Sequence, residues 1–218
     1  LALFIGQVAT FGQPKTALRY LGEYSRQELS PEAAGVFRYG LRLILMVSAA
    51  CAAFNVVIWT LISSVKGDCN YEHFVFASLL IVPVALAEYL SHALRGLQHL
   101  ISAMLPRDIL WRLSLLIIAY VCVATSYSPS ADELIAVAAL FLALFCTLQL
   151  IIAWKACFRR FGSIYSFSEK LRWKDTAFGQ WGVSIFSTSF PHVSTLYVGV
   201  FLTATEAGAF FSSVRVVS

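Results

Sequence analysis

Three groups of ionisable side chains stand out against an otherwise apolar chain. In "GQPKTALRYLGEYSRQ", Lys15, Arg19 and Glu23 recur every fourth residue, the spacing that stacks side chains along one side of a helix. In "AEYLSHALRGLQHLISAMLPRDILWRLSLL", Glu88, His92, Arg95 and His99 fall at i, i+4, i+7 and i+11. One uninterrupted helix would carry all four on a single face. Pro106 then marks the opening of a new helical turn, and Asp108 and Arg112 are spaced as an i,i+4 ion pair. The third group is a lone His192 after Pro191, among Ser184, Ser187, Thr188, Ser189, Ser194 and Thr195.

The chemistry open to these groups is binding and proton exchange. Arginine forks hold phosphate and carboxylate oxyanions, and a helix broken by Gly12 and Pro14 beside a basic face suits an anionic ligand. Glu88 directly follows fourteen uncharged residues, and an ionisable group inside a membrane span is costly and usually functional. His192 is placed to titrate in a proton-coupled step. Plainer readings stand beside each of these. Lys15, Arg19 and Glu23 also fit an ordinary helix end with a supporting salt bridge. Arg95, Arg107, Asp108 and Arg112 fit a solvated hairpin whose arginines snorkel, and His192 fits a packed histidine satisfied by a neighbouring hydroxyl.

Catalytic signatures are missing: there is no GxSxG, HExxH, Walker loop or GxGxxG. His92 and His99 are seven apart, a poor metal pair, and adjacent Asp132 and Glu133 point to different helix faces. The reading is therefore not an enzyme, with no metal and no cofactor. Cys51, Cys122, Cys146 and Cys157 lie in or beside apolar runs, where cysteine acts as a small hydrophobe, and Cys69 stands alone in a loop.

The elements that must carry these residues follow from composition. The chain is 59% hydrophobic and 13% charged, against about 25% charged in a typical soluble domain. Leu43–Ile62 and Leu134–Trp154 hold no charge, and neither does Thr176–Thr205; about 20 apolar residues suffice for a helix to cross a bilayer. The expected map is a partial helix to about Tyr24, then spans Phe37–Ser63, His73–Leu97, Ile101–Tyr127, Asp132–Phe158 and Phe178–Thr203, then a further partial helix. "SPEA" at Ser30 and "SPSADE" before the fifth span read as helix starts. Asn55 and Gln149, inside spans, are expected to hydrogen-bond between helices. Trp59, Trp111, Tyr127, Trp154 and Trp181 are expected as interfacial anchors.

Lysine and arginine alternate between the connections. Fourteen fall in the first, third and fifth, and Lys66 alone in the second and fourth, with Arg215 beyond them. The positive-inside rule places the three basic connections in the cytoplasm. That clustering between spans, rather than on a polar domain, argues against nucleic acid as the partner of a chain with net charge +4. The linker "RRFGSIYSFSEKLRWKD" reads as a helix on the membrane surface, with Trp173 and the lysines at headgroup level. It separates an N-terminal bundle at 1–158 from the start of a second at 178–218, with 159–177 as linker. The opening and closing residues read as the ends of an internal fragment cut within helices.

"ALRYLGEYSR", "LRGLQHLISAMLPRDILWRLSLL" and "WGVSIFSTSFPHVSTLYVGVFLTATEAGAFFSSVRV" together resemble polysaccharide-biosynthesis flippases. These are the O-antigen and exopolysaccharide lipid-carrier flippases of the multidrug/oligosaccharidyl-lipid/polysaccharide exporter superfamily. The resemblance implies an all-α polytopic transmembrane bundle covering about helices 2 to 8 of a two-lobed transporter in the bacterial inner membrane. It implies alternating access, and a substrate of undecaprenyl-diphosphate-linked oligosaccharide moved to the outer leaflet for lipopolysaccharide or exopolysaccharide assembly. Partners implied with it are membrane lipids, H+ or Na+ as coupling ion, and a polysaccharide polymerase. On that footing Lys15, Arg19, Arg95 and Arg112 would hold the diphosphate. Glu23 and Glu88 would steady those arginines or, with His192, take the coupling proton or sodium. The alternatives are an ion-coupled multidrug exporter of the same superfamily, which acidic cavity residues would favour, and a membrane enzyme of envelope assembly, which a large outer loop would favour.

Overall fold

The computed structural model describes residues 2–66 and 72–201, with side chains over 4–64, 75–130 and 132–187. Every regular element among these residues is helical. In chain order they are α1 (Ala2–Val8), α2 (Gln13–Arg26), α3 (Ser30–Lys66), α4 (Glu72–Ser78) and α5 (Ile81–Gly96). Then come α6 (Leu100–Met104), a π-helical segment (Leu105–Leu110), α7 (Trp111–Ala124), α8 (Ala131–Phe161) and α9 (Lys170–Phe201).

Three helical stretches are long and apolar enough to cross a membrane: Ser30–Ser64, Val75–Gly96 and Asp132–Phe161. At about 1.5 Å per residue, α3 exceeds the roughly 30 Å hydrocarbon core. Part of it therefore extends beyond the hydrocarbon thickness. The exterior agrees with a membrane protein: Phe54, Leu116, Ile117, Val123, Leu140 and Phe186 all lie exposed. Lipid tails accept such faces, provided the backbone is satisfied internally.

Helix α5 is the centre of the packing, buried along most of its length between α2, α3 and α8. Two glycines let neighbouring helices approach it. A Cβ on Gly40 of α3 would meet the Tyr89 hydroxyl at 2.7 Å, and one on Gly96 would meet Leu21 Cβ of α2 at 3.0 Å. Tyr20, Leu21, Tyr24, Phe37, Ile44, Tyr89, Leu90 and Leu94 fill the interior. The Tyr89 hydroxyl donates to the Phe37 carbonyl at 2.6 Å.

The expected break between α1 and α2 is present. Phe11 and Gly12 both have positive φ, 49° and 69°, a region that favours glycine. Pro14 sits in the first turn of α2, where its missing N–H costs nothing. Gly12 is required for a second reason, since a Cβ there would lie 2.0 Å from the Ala177 carbonyl oxygen of α9. The start of α8 carries a full capping box between Ser130 and Glu133. Asn55 Nδ2 donates to Ser78 Oγ at 2.7 Å, and Gln149 Nε2 to the Ala103 carbonyl at 2.9 Å. Both are the interhelical bonds expected of polar groups in apolar spans.

Four expectations need correction. The span at Ile101–Tyr127 is interrupted by the π segment, leaving α7 with 14 residues, about 21 Å and too short alone to cross. The surface helix expected over 159–177 is absent: α8 continues to Phe161, α9 begins at Lys170, and 162–169 is a non-helical connection. Trp173 is fully buried rather than at headgroup level, because its indole N–H finds an acceptor on α2. Trp111 and Trp181 likewise turn inward in part, donating to the Ala138 and Val8 carbonyls of other helices. Cys69 and the final partial helix lie outside the described residues.

Candidate functional site

The three basic connections meet at one end of the bundle, as their shared charge would require of a common side. Ser166 N–H donates to the Pro31 carbonyl at 2.9 Å. Arg160 Nη1 donates to the Leu97 carbonyl at 3.2 Å. Helix α5 closes against α2 through Gly96.

Between the C-terminal half of α2 and the end of α5 lies a groove of about 510 Å³, lined by Arg19, Glu23, Arg26 and Arg95 with Leu18 and Gln98 among its walls. Among the described residues, none of Arg19, Arg26 and Arg95 forms an ion pair with a carboxylate. The Arg95 Nε is buried and has no hydrogen-bond partner. Glu23, the one acid of the groove, instead approaches Arg172 of α9 at 3.7 Å. Three guanidinium groups with unspent donors around one groove have the chemistry to bind an oxyanion.

The expected face of Glu88, His92, Arg95 and His99 does not survive as a unit. Helix α5 ends at Gly96, Gln98 takes a positive φ of 67°, and His99 caps α6. Glu88 does not steady Arg95 or Arg19. It pairs with Arg107 of the π segment, lies 3.5 Å from His92 Nδ1, and accepts from Gln7 Nε2 at 3.5 Å. This second cluster ties α1, α5 and the π segment around one largely buried carboxylate.

Lys15 is not among the groove-lining residues. Arg112 lies exposed on α7 and makes no ion pair with Asp108. The π segment explains this, because i→i+5 bonding widens the turn and rotates α7 out of the register that an α-helix would keep. It also explains why Arg107, expected in a solvated hairpin, reaches Glu88. His192 falls within α9, outside the residues whose side chains are described.

Arg26 and Arg107 are the residues that the sequence reading left out of the site. Arg26 follows Arg19 by seven residues on α2, a signal that spacing could have given. Arg107 had none, since only the π register delivers it.

A third polar cluster fastens α9 to α2. The Tyr24 hydroxyl donates to Glu169 Oε2 at 2.5 Å and accepts from Trp173 Nε1 at 2.9 Å. Tyr20 and Thr176 share a hydrogen bond of 2.9 Å, and Arg172 holds Glu169 at 3.1 Å. Burial and the Glu169 acceptor push the Tyr24 hydroxyl well above its ordinary pKa, while donation from that hydroxyl lowers Glu169 below the usual carboxylate value.

Against these observations stand the comparisons with known proteins: no family model, no curated protein and no solved structure matches the chain.

Proposed function

We propose that this chain belongs to a membrane transporter that carries a lipid-linked oligosaccharide across the bacterial inner membrane, gripping it by its diphosphate. The observation that supports the reading is the groove between α2 and α5, where Arg19, Arg26 and Arg95 gather without acidic partners. A diphosphate leaving water and headgroups needs cationic forks in close reach, whereas a polyprenyl tail can remain in lipid. Arg19 and Arg95 are the principal ligands in this reading, Arg26 joins them, and Lys15 and Arg112 act at most on the approach. Glu88 already carries its own cation, Arg107. Glu23, the one acid lining the groove, leans on Arg172, and these two pairings weaken the case for a cation-drug exporter, which would need an unpaired acid open to the cavity.

The test uses cells that depend on the whole protein for surface polysaccharide. Arg19→Ala and Arg95→Ala, at matched membrane levels, should lower surface polymer at least tenfold while lipid-linked precursor accumulates on the cytoplasmic side. Unchanged polymer in both variants would remove the groove from the transport path.

A further inference from the structure

A second basic cavity lies away from the α2–α5 groove, and we infer that it is a binding site for the headgroup of an anionic phospholipid. It occupies about 410 Å³ where α3 passes the start of α9, and its lining includes Arg42, Lys170, Lys174, Tyr39, Leu43 and Met46. No carboxylate is among its walls. Among the described residues, none of the three cations forms an ion pair. Lys170 and Lys174 stand one turn apart on α9, which directs both to the same side. Lys170 lies 5.5 Å from the Tyr39 ring centroid, and the buried Trp173 packs against the same tyrosine at 6.1 Å between ring centroids.

The walls identify the ligand. A free phosphate would need the cations alone. Here the cavity continues onto Leu43 and Met46, on the apolar stretch Ser30–Ser64 that is long enough to cross a membrane, and Met46 is 65% exposed. A charged mouth opening directly onto lipid-facing apolar surface fits a molecule with both an anionic head and acyl chains. The site also bridges two parts of the chain, α3 of the first bundle and the first turns of α9. Lipid bound there fastens α9 at the end where the basic connections meet. This inference is independent of the transported substrate.

The test is native mass spectrometry of the purified full-length protein released from nanodiscs of phosphatidylglycerol or of phosphatidylcholine. The wild type should retain phosphatidylglycerol selectively. The combined variant Arg42→Gln, Lys170→Gln, Lys174→Gln should weaken retention by about fivefold per cation removed, while Lys170→Arg with Lys174→Arg keeps it. Removing three cations elsewhere, with Lys155→Gln, Arg159→Gln and Lys66→Gln, should leave retention unchanged. Equal retention of phosphatidylcholine, equal loss in this second triple variant, or displacement by inorganic phosphate would each overturn the assignment. Circular dichroism that matches the wild type ensures that a loss reads binding rather than unfolding.

Discussion

Glu88 shows what a single carboxylate does when it is drawn into an apolar bundle. It receives Arg107, His92 and Gln7 from three different elements, so its charge is compensated where solvent cannot do it. Breaking one side of such a pair strands the other charge. Glu88→Gln should lower the thermal midpoint in detergent, at a cost of about 1.5–3 kcal/mol for a hydrogen bond to a charged group. The double variant Glu88→Gln, Arg107→Gln should recover part of that loss, which a double-mutant cycle would read as coupling. Strict additivity of the two losses would mean that the pair contributes nothing to stability. Glu169 gives a pH-dependent counterpart. Its pKa is lowered in the folded protein by the Tyr24 hydroxyl, so its contribution is present above the ordinary carboxylate pKa and fades as pH falls through the folded value. Acid below about pH 4 should loosen the α2–α9 contact, and Glu169→Gln should flatten that acid limb. Trp173 fluorescence reports the change, because its indole bonds the same Tyr24 oxygen.

At the scale of elements, glycine and glutamine fix how helices meet. A Cβ on Gly35 would lie 1.9 Å from the Ser166 carbonyl oxygen and 3.1 Å from Trp173 Cη2. Gly35→Ala should therefore displace the 162–169 connection and cost about 1–3 kcal/mol, seen as a lower melting point and earlier proteolysis near Tyr165. Gln149 serves the break between α6 and the π segment. Pro106 has no N–H for the Ser102 carbonyl, and the Gln149 amide reaches both that oxygen (3.4 Å) and the Ala103 carbonyl. Gln149→Leu should cost about 0.6–1.7 kcal/mol, the range of an interhelical bond in a membrane. The sequence announced the Gly12–Pro14 break, the Ser130 cap and the polar ties of Asn55 and Gln149, because each rests on local chemistry. It did announce a turn between Leu97 and Ile101, though it read the Glu88–His99 face across it; it did not announce the π segment or the burial of Trp173. Those depend on which distant backbone or hydroxyl lies opposite, and periodicity carries no record of that. Hence the groove was half legible: Arg19 and Arg95 were evident as cations, but Arg26 as their companion and Arg107 as the partner of Glu88 were not.

For the molecule as a whole, the charge pattern and the packing point the same way. The basic connections alternate along the chain and converge in space, joined by the bonds from Ser166 to Pro31 and Arg160 to Leu97. If that end is cytoplasmic, an impermeant maleimide should label Ser128→Cys in intact cells in a background stripped of native cysteines. Ser163→Cys should label only after the membrane is opened. The reverse pattern would invert the topology and place the arginine groove on the outer side, where a substrate made in the cytoplasm would not reach it first.

The π segment carries a consequence for chain length. A π turn is an α-helix that has accepted one residue too many. Deleting one residue between Leu105 and Leu110 would therefore return the segment to α-helix and leave α7 near its present angle, because a π turn absorbs the extra residue by winding less per residue. Helix α7 would keep the Trp111 indole bond, one of its few sideways attachments. Arg107, inside the segment, would turn relative to Glu88. The extra residue thus works as a phase insert: it sets the angular position of one cation against one acid, and a natural or engineered deletion there would unmake the pair without unmaking the helix.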